Sequence, residues 1–370
     1  MRSSNIKYIP ELDQLRGLAV LLVFYFHAIA AMSVAPYYFG VGANSTPIVR
    51  SPLDVLIVNG FTGVALFFAL SGFILTSAAL NADKVNWKNF YINRFLRLFP
   101  LYLVVNLLAF SVGKMPSRQL MLNLIGFGNY HLGYGIFDIV LWVISLEIQF
   151  YFLLPYLLAL LKRYGVKVLW ILLAALSVVR LAIRLDGSYL HELVYWTMLG
   201  RLDQFLVGML AAFYCFNGDW LTKLPMLPVR KLAIGLIVSF TALVILLWVY
   251  TVTGWKYGPS YFLVVWPVLE PLVWAAVAAC YVGLARIYQP RWLEPLRLAG
   301  VISFSLYILQ YPIIKLLQRA GWVVTINNHR VSAGLISATL IFLPVTIVFA
   351  VAAYYLIEKP PLKLRKRYIN

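Results

Sequence analysis

Arg16-Gly-Leu-Ala-Val-Leu-Leu-Val-Phe-Tyr-Phe-His27 sets two ionisable side chains at the ends of an uncharged apolar stretch, inside a longer apolar run over 17–36. A run of that length is enough to cross a bilayer as a helix. Eleven residues of α-helix make close to three turns, so the two side chains fall within about 20° of each other and roughly 16 Å apart along the axis. One polar stripe therefore runs from the membrane surface at Arg16 to mid-bilayer at His27. Ionisable groups in lipid are costly, and they usually face a bundle interior and take part in function. Asp13, three residues before Arg16, is placed to pair with it at the helix entrance.

The rest of the chain repeats this pattern of apolar runs. It has 370 residues, of which 62% are hydrophobic and only 12% charged, and its mean hydropathy is +0.84. Such values exclude a soluble globular protein. They indicate an all-α, polytopic transmembrane bundle. Hydropathy places about ten spans near 17–36, 59–80, 96–113, 136–160, 167–185, 195–215, 232–252, 260–285, 299–318 and 333–357. The sixth is interrupted by Arg201 and Asp203. No linker or polar block divides the chain, so 1–370 reads as a single transmembrane domain without a soluble extracytoplasmic domain. Ten spans put both ends on one side, and about two thirds of the 31 Lys and Arg fall on that side. The positive-inside rule then makes both termini cytoplasmic.

The net charge of +18 is scattered in short clusters between apolar runs, which topology control explains without a nucleic-acid partner. Two cysteines, Cys215 and Cys280, give no disulfide framework, and no spacing of His or Cys marks a metal site. The small residues over 28–35 imitate a cleavage site, but Glu11 and Asp13 make a poor signal n-region. The segment over 114–135, with Asn129, Tyr130, His131 and Tyr134, is apolar enough to dip back into the bundle.

Polar residues inside or beside the spans need a reason. Ser71-Gly72 is a small-residue notch that would let another helix approach closely. Lys84, Lys88, Arg94 and Arg97 follow it, and Arg94 and Arg97 share a helical face. Guanidinium forks suit phosphates, and membrane anchoring accounts for them as well. In the fourth span Trp142, Ser145 and Gln149 form one stripe, and Glu147 and Tyr151 form another more than 100° away. One stripe is expected to face a site while the other pairs with a neighbouring helix. Glu270, between Pro267 and Pro271, reads as a helix irregularity.

Taken in order, these motifs resemble the integral-membrane acyltransferase family 3, O-acyltransferases of cell-surface carbohydrates. Leu12-Asp13-Gln14-Leu15-Arg16-Gly17-Leu18-Ala19, ending in His27, is similar to the family's opening motif. Phe67 to Leu75, Arg94-x-x-Arg97-Leu98-x-Pro100 and Trp142-x-x-Ser145-x-Glu147-x-Gln149-Phe150-Tyr151 resemble the next three. Ser303 to Pro312 and Ile357-Glu358-Lys359-Pro360 resemble the closing elements. Singly these are unremarkable in an apolar protein; in this order they are specific. The resemblance departs at Val143, where the family often has serine, and at Gln310, where it often has histidine. His27 is left as the one histidine within an expected span.

The resemblance implies an acyl-CoA donor, most often acetyl-CoA, as co-substrate with no bound cofactor. It implies a carbohydrate or glycolipid hydroxyl as acceptor across the bilayer, and residence in the bacterial cytoplasmic (inner) membrane. Lys84, Lys88, Arg94 and Arg97 would hold the donor phosphates while the pantetheine arm enters beside Arg16. His27, in a water-accessible cleft, would act as general base or as a nucleophile forming an acyl-imidazole. Asp13, Ser71, Ser145, Glu147, Gln149 and Tyr151 would support the site. A secondary transferase or polysaccharide-assembly partner would complete the transfer. The residues alone also admit a proton-coupled transporter or flippase, with mid-bilayer His and Glu as a proton relay and Glu270 between its prolines as a broken-helix site.

Overall fold

The computed structural model describes residues 8–32, 51–130, 135–188, 190–217, 223–252, 261–288, 291–324 and 330–369. Their regular structure is helical. In chain order the helices are α1 (Pro10–Ala31), α2 (Pro52–Val58), α3 (Thr62–Leu80), α4 (Trp87–Ser111), α5 (Ser117–Leu124) and α6 (Asp138–Tyr164). Then come α7 (Lys167–Leu185), α8 (His191–Trp196), α9 (Met198–Asn217), α10 (Val229–Val252), α11 (Phe262–Tyr288), α12 (Glu294–Val301) and α13 (Ser303–Arg319). The last crossing is α14 (Arg330–Ser337) and α15 (Leu343–Ala353), joined and followed by π-helical turns over Ala338–Phe342 and Tyr354–Glu358.

Eight of these helices are long and apolar enough to cross a membrane, or nine when the bent pair α12–α13 counts as one. The sixth expected run is the one left out of that count by composition. There the chain breaks at Thr197 into short α8 and then α9, a 20-residue helix interrupted by Arg201, Asp203 and Gln204 and packed against α3. The ninth run is a bend instead of a straight helix: α12 and α13 meet at 72° around Ile302.

Burial separates an inner set of helices from an outer one. Of its most apolar window, α1 buries 72% and α3 67%, against 22% for α7 and for α10. The outer helices instead expose large apolar side chains, among them Ile171, Val178 and Leu185 on α7 and Ile237, Val238 and Ile245 on α10. In a bilayer such faces meet acyl chains, so their exposure carries no penalty.

Lipid supplies no hydrophobic drive between helices, so close association relies on small residues and packing. The expected notch is used in this way. A Cβ on Gly72 of α3 would overlap the Phe205 carbonyl of α9, and a Cβ on Gly208 of α9 would overlap the Ala69 carbonyl of α3. Phe205 stacks on Phe68 at 4.5 Å and on Phe150 at 4.0 Å, tying α3, α9 and α6 together. Gly17 and Gly300 do the same for α1 and α12, lying against the Leu296 and Asp13 carbonyls. That contact fixes the entrance of α1 beside the α12–α13 bend.

α11 corrects a local expectation. It runs as one helix through Pro267 and Pro271, and Glu270 is spent on helix contacts, accepting from Gln204 Nε2 at 3.1 Å with Arg201 at 3.9 Å.

Candidate active site

α1, α3, α4, α6 and α13 enclose a cleft of about 670 Å³ at the end of the bundle where α1 begins. Its walls include Arg16 from α1, Phe67 and Ser71 from α3, and Arg94 and Arg97 from α4. Glu147 and Tyr151 come from α6, and Ser303, Phe304 and Tyr307 from α13. Six of the expected site residues, from four separate helices, therefore share one cavity.

Local geometry explains each placement. Pro10 at the start of α1 supplies the backbone angle a first turn needs, and Glu11 and Asp13 complement the positive end of the helix. Asp13 Oδ1 accepts from Arg16 Nη1 at 3.3 Å, which holds the guanidinium at the cleft wall. Asn86 caps α4, its Oδ1 accepting from Asn89 N at 3.0 Å, and sets the rotation that turns both Arg94 and Arg97 inward. Arg94 lies over the rings of Phe90 and Tyr151 at 5.6 and 5.8 Å. Across the cleft Ser71 Oγ donates to Glu147 Oε1 at 2.5 Å, joining α3 to α6. The 72° bend brings Ser303 and Phe304, in the first turn of α13, to the cavity wall.

The two stripes of α6 divide their work as the spacing implies. Glu147 and Tyr151 face the cleft. Gln149 turns away, its Nε2 donating to Gly126 O and Asn129 Oδ1, both at 2.8 Å, while Ser145 is fully buried. These two support the wall from behind and do not line it.

Other residues fall elsewhere. Lys84 and Lys88 are exposed and outside the cleft walls. His27 is 6% exposed and is not among the residues that line this cleft. The ring packs against Tyr311 of α13 at 5.3 Å, and its Nδ1 has no hydrogen-bond partner among the described residues. Tyr311 lies one turn beyond Tyr307, which lines the cleft and meets Phe67 edge-on at 6.3 Å. One face of α13 thus leads from the cavity to the histidine. Gln310, where the motif departs from the family, is wholly buried, with both side-chain polar atoms unpartnered among the described residues. His191 stacks on Tyr195 at 5.6 Å at the start of α8, and His131 and His329 lie outside the described residues.

Sequence reasoning left Tyr307 and Glu358 out of the site. Glu358 accepts from Ser305 Oγ at 2.8 Å and is close enough to Arg16 and Arg97 to act on both electrostatically. Both residues lie in noted motifs, and only the bend at Ile302 brings the ninth run's residues to the cleft.

Comparison with known proteins agrees with this geometry. The profile of the acyltransferase 3 family, described as an acyltransferase domain, matches residues 9–355. The chain belongs to the acyltransferase 3 family. It is 25% identical over 390 aligned residues to a Staphylococcus aureus (strain COL) protein, SACOL0978, named provisionally as an O-acetyltransferase; the match covers 96% of this chain and 58% of the relative. It is 23% identical to the O-acetyltransferase OatA of S. aureus (strain NCTC 8325), covering 96% of this chain and 57% of that one. The chain thus spans under three fifths of the length of these relatives. No solved structure matches significantly. The family is one of acyltransferase domains, and the chain is a multi-pass integral membrane protein.

Proposed function

We propose that this member of the family moves an acetyl group from acetyl-CoA at the cytoplasmic face to a carbohydrate or glycolipid hydroxyl on the far side of the bacterial inner membrane. The observation that carries the reading is the convergence of Arg16, Arg94 and Arg97 on one cleft that also holds the Ser71–Glu147 pair. Guanidinium forks at the rim match the diphosphate and phosphate of CoA. The apolar walls formed by Phe67, Phe68 and Leu75 suit a pantetheine arm. Arg16, steadied by Asp13, orients the donor; Ser71, Glu147 and Tyr151 shape the inner wall.

His27 is the base or nucleophile in this reading. The thioester travels along the Tyr307–Tyr311 face of α13, and the Phe67–Tyr307 contact opens to admit it. As general base His27 takes the acceptor's hydroxyl proton while that oxygen attacks the thioester carbon and CoA leaves as a thiolate that is then protonated. As nucleophile its ring nitrogen attacks the thioester carbon and expels CoA as a thiolate; the acceptor oxygen then attacks the acyl-imidazole, the ring leaves, and the hydroxyl proton passes to it. A separate transferase or polysaccharide-assembly partner completes delivery. A proton-coupled transporter is the weaker reading, because Glu270 is held within helix contacts.

The test is thioester turnover by the detergent-solubilised protein with labelled acetyl-CoA. Wild type releases CoA, and His27→Ala abolishes release by about a thousandfold or more, as loss of a base or nucleophile predicts, while eluting as a folded monodisperse protein. Undiminished turnover by His27→Ala removes the histidine from the mechanism.

A further inference from the structure

Residues 366–369 run extended along the first turns of α4 and are held almost entirely through main-chain atoms. Asn93 Nδ2 donates to Lys366 O at 2.6 Å, and its Oδ1 accepts from Lys366 N at 2.9 Å. Asn89 Nδ2 donates to Arg367 O at 2.9 Å, Asn86 N donates to Tyr368 O at 2.7 Å, and Val85 bridges to Ile369. Asn86, Asn89 and Asn93 sit three and four residues apart, on one face of the helix start. Tyr368 is buried edge-on to Phe90 at 5.5 Å. The docked segment serves to place the residue before it, Arg365.

Arg365 is close enough to Arg94 and Arg97, which line the cleft, and to the carboxylate of Glu358 to feel the charge of all three. Burial, then the like charges of Arg97 and Arg94, lower its pKa, against the pull of Glu358. Glu358 already accepts from Ser305. The Nε and Nη2 of Arg365 and the Nε of Arg94 are buried and have no acceptor among the described residues. Buried charged donors without acceptors are expensive, and Arg365 meets two like charges with a carboxylate, Glu358, that is already bonded to Ser305.

We propose that the docked C-terminal tail delivers Arg365 as a third guanidinium, with Arg94 and Arg97, for the phosphate groups of the acyl donor's nucleotide. The inference deepens the acyl-CoA reading and rests on it. Arg365 takes the place that Lys84 and Lys88 were expected to fill, and it lies beyond the segment 9–355 that the family profile matches. The same chemistry would also suit an anionic lipid headgroup, so the experiment separates the two sources.

Initial rates are measured on the full chain with acetyl-CoA and with S-acetylpantetheine, which lacks the nucleotide phosphates. Arg365→Gln raises KM for acetyl-CoA about tenfold, the loss expected of one charged hydrogen bond, and moves KM for S-acetylpantetheine less than twofold. Arg365→Lys recovers part of the loss. Asn93→Ala, which unpins the tail with Arg365 intact, reproduces it. An Arg365→Gln protein with unchanged KM for acetyl-CoA, beside an active wild type, overturns this inference alone. Equal losses with both donors overturn it too. So does a defect that appears only in nanodiscs containing phosphatidylglycerol, which assigns Arg365 to lipid. A wild type that neither binds CoA nor cleaves its thioester overturns the acyl-CoA reading along with it.

Discussion

Glu147 is the only carboxylate on the cleft wall itself, among the described residues, and its neighbours define what it does there. It accepts from Ser71 at 2.5 Å and lies within electrostatic reach of both Arg16 and Arg97. A negative charge in that position balances the guanidiniums and does not attract phosphates. Glu147→Gln is therefore expected to lower kcat for acetyl-CoA about tenfold or more, through loss of the ordered Ser71 contact, while KM for the donor stays constant or falls. Steady-state kinetics check this; a raised donor KM with unchanged kcat would instead make Glu147 a direct donor contact. Arg16, Arg94, Arg97, Ser71, Glu147 and Tyr151 were all legible before the structure, because motif spacing puts each on the right helical face. Arg365 was not, because a basic tail looks the same in sequence whether it is solvated or docked.

At the scale of elements, the outer helix α7 is tied to the core by a charge. Arg180, fully buried on an otherwise lipid-facing helix, donates to both oxygens of Asp203 on α9, through Nη1 at 2.8 Å and Nη2 at 3.0 Å. Its Nε donates to Val264 O of α11 at 3.0 Å. Three helices meet on one satisfied guanidinium. Removing one member of such a pair leaves the other buried and uncompensated, at a cost of about 3–5 kcal/mol. Asp203→Ala is expected to lose most folded protein on solubilisation and to lower the apparent melting temperature markedly, read by size-exclusion chromatography after heating. Asp203→Asn, which keeps an acceptor, should do less harm. The same residues bear on the sixth expected span. Arg201 and Asp203 make the sixth run too polar for a span by composition, yet in the fold they are buried against partners from other helices.

Across the whole molecule the two described chain ends lie together. Arg16 near the start of α1 and Glu358 after the last crossing are close enough to interact, and the tail from Arg365 onward packs on the start of α4. About two thirds of the Lys and Arg are assigned to that end from the sequence, and by the positive-inside rule we propose that it faces the cytoplasm. Reporter fusions at both termini are accordingly expected to report a cytoplasmic location. A periplasmic signal from either would move the donor cleft to the wrong side of the membrane for CoA.

Sequence alone determined the membrane-spanning helical character, the family and six of the residues that line the cleft. Apolar run length and residue spacing are local properties, and a helix converts them directly into faces. Tertiary structure decided which faces meet: the 72° bend that brings Ser303 and Tyr307 to the cleft, the burial of His27 against Tyr311 one turn further along α13, and the docking of the tail that brings in Arg365. Those outcomes depend on where separate helices cross and on which polar atoms find partners at the crossing, and no single stretch of chain carries that information.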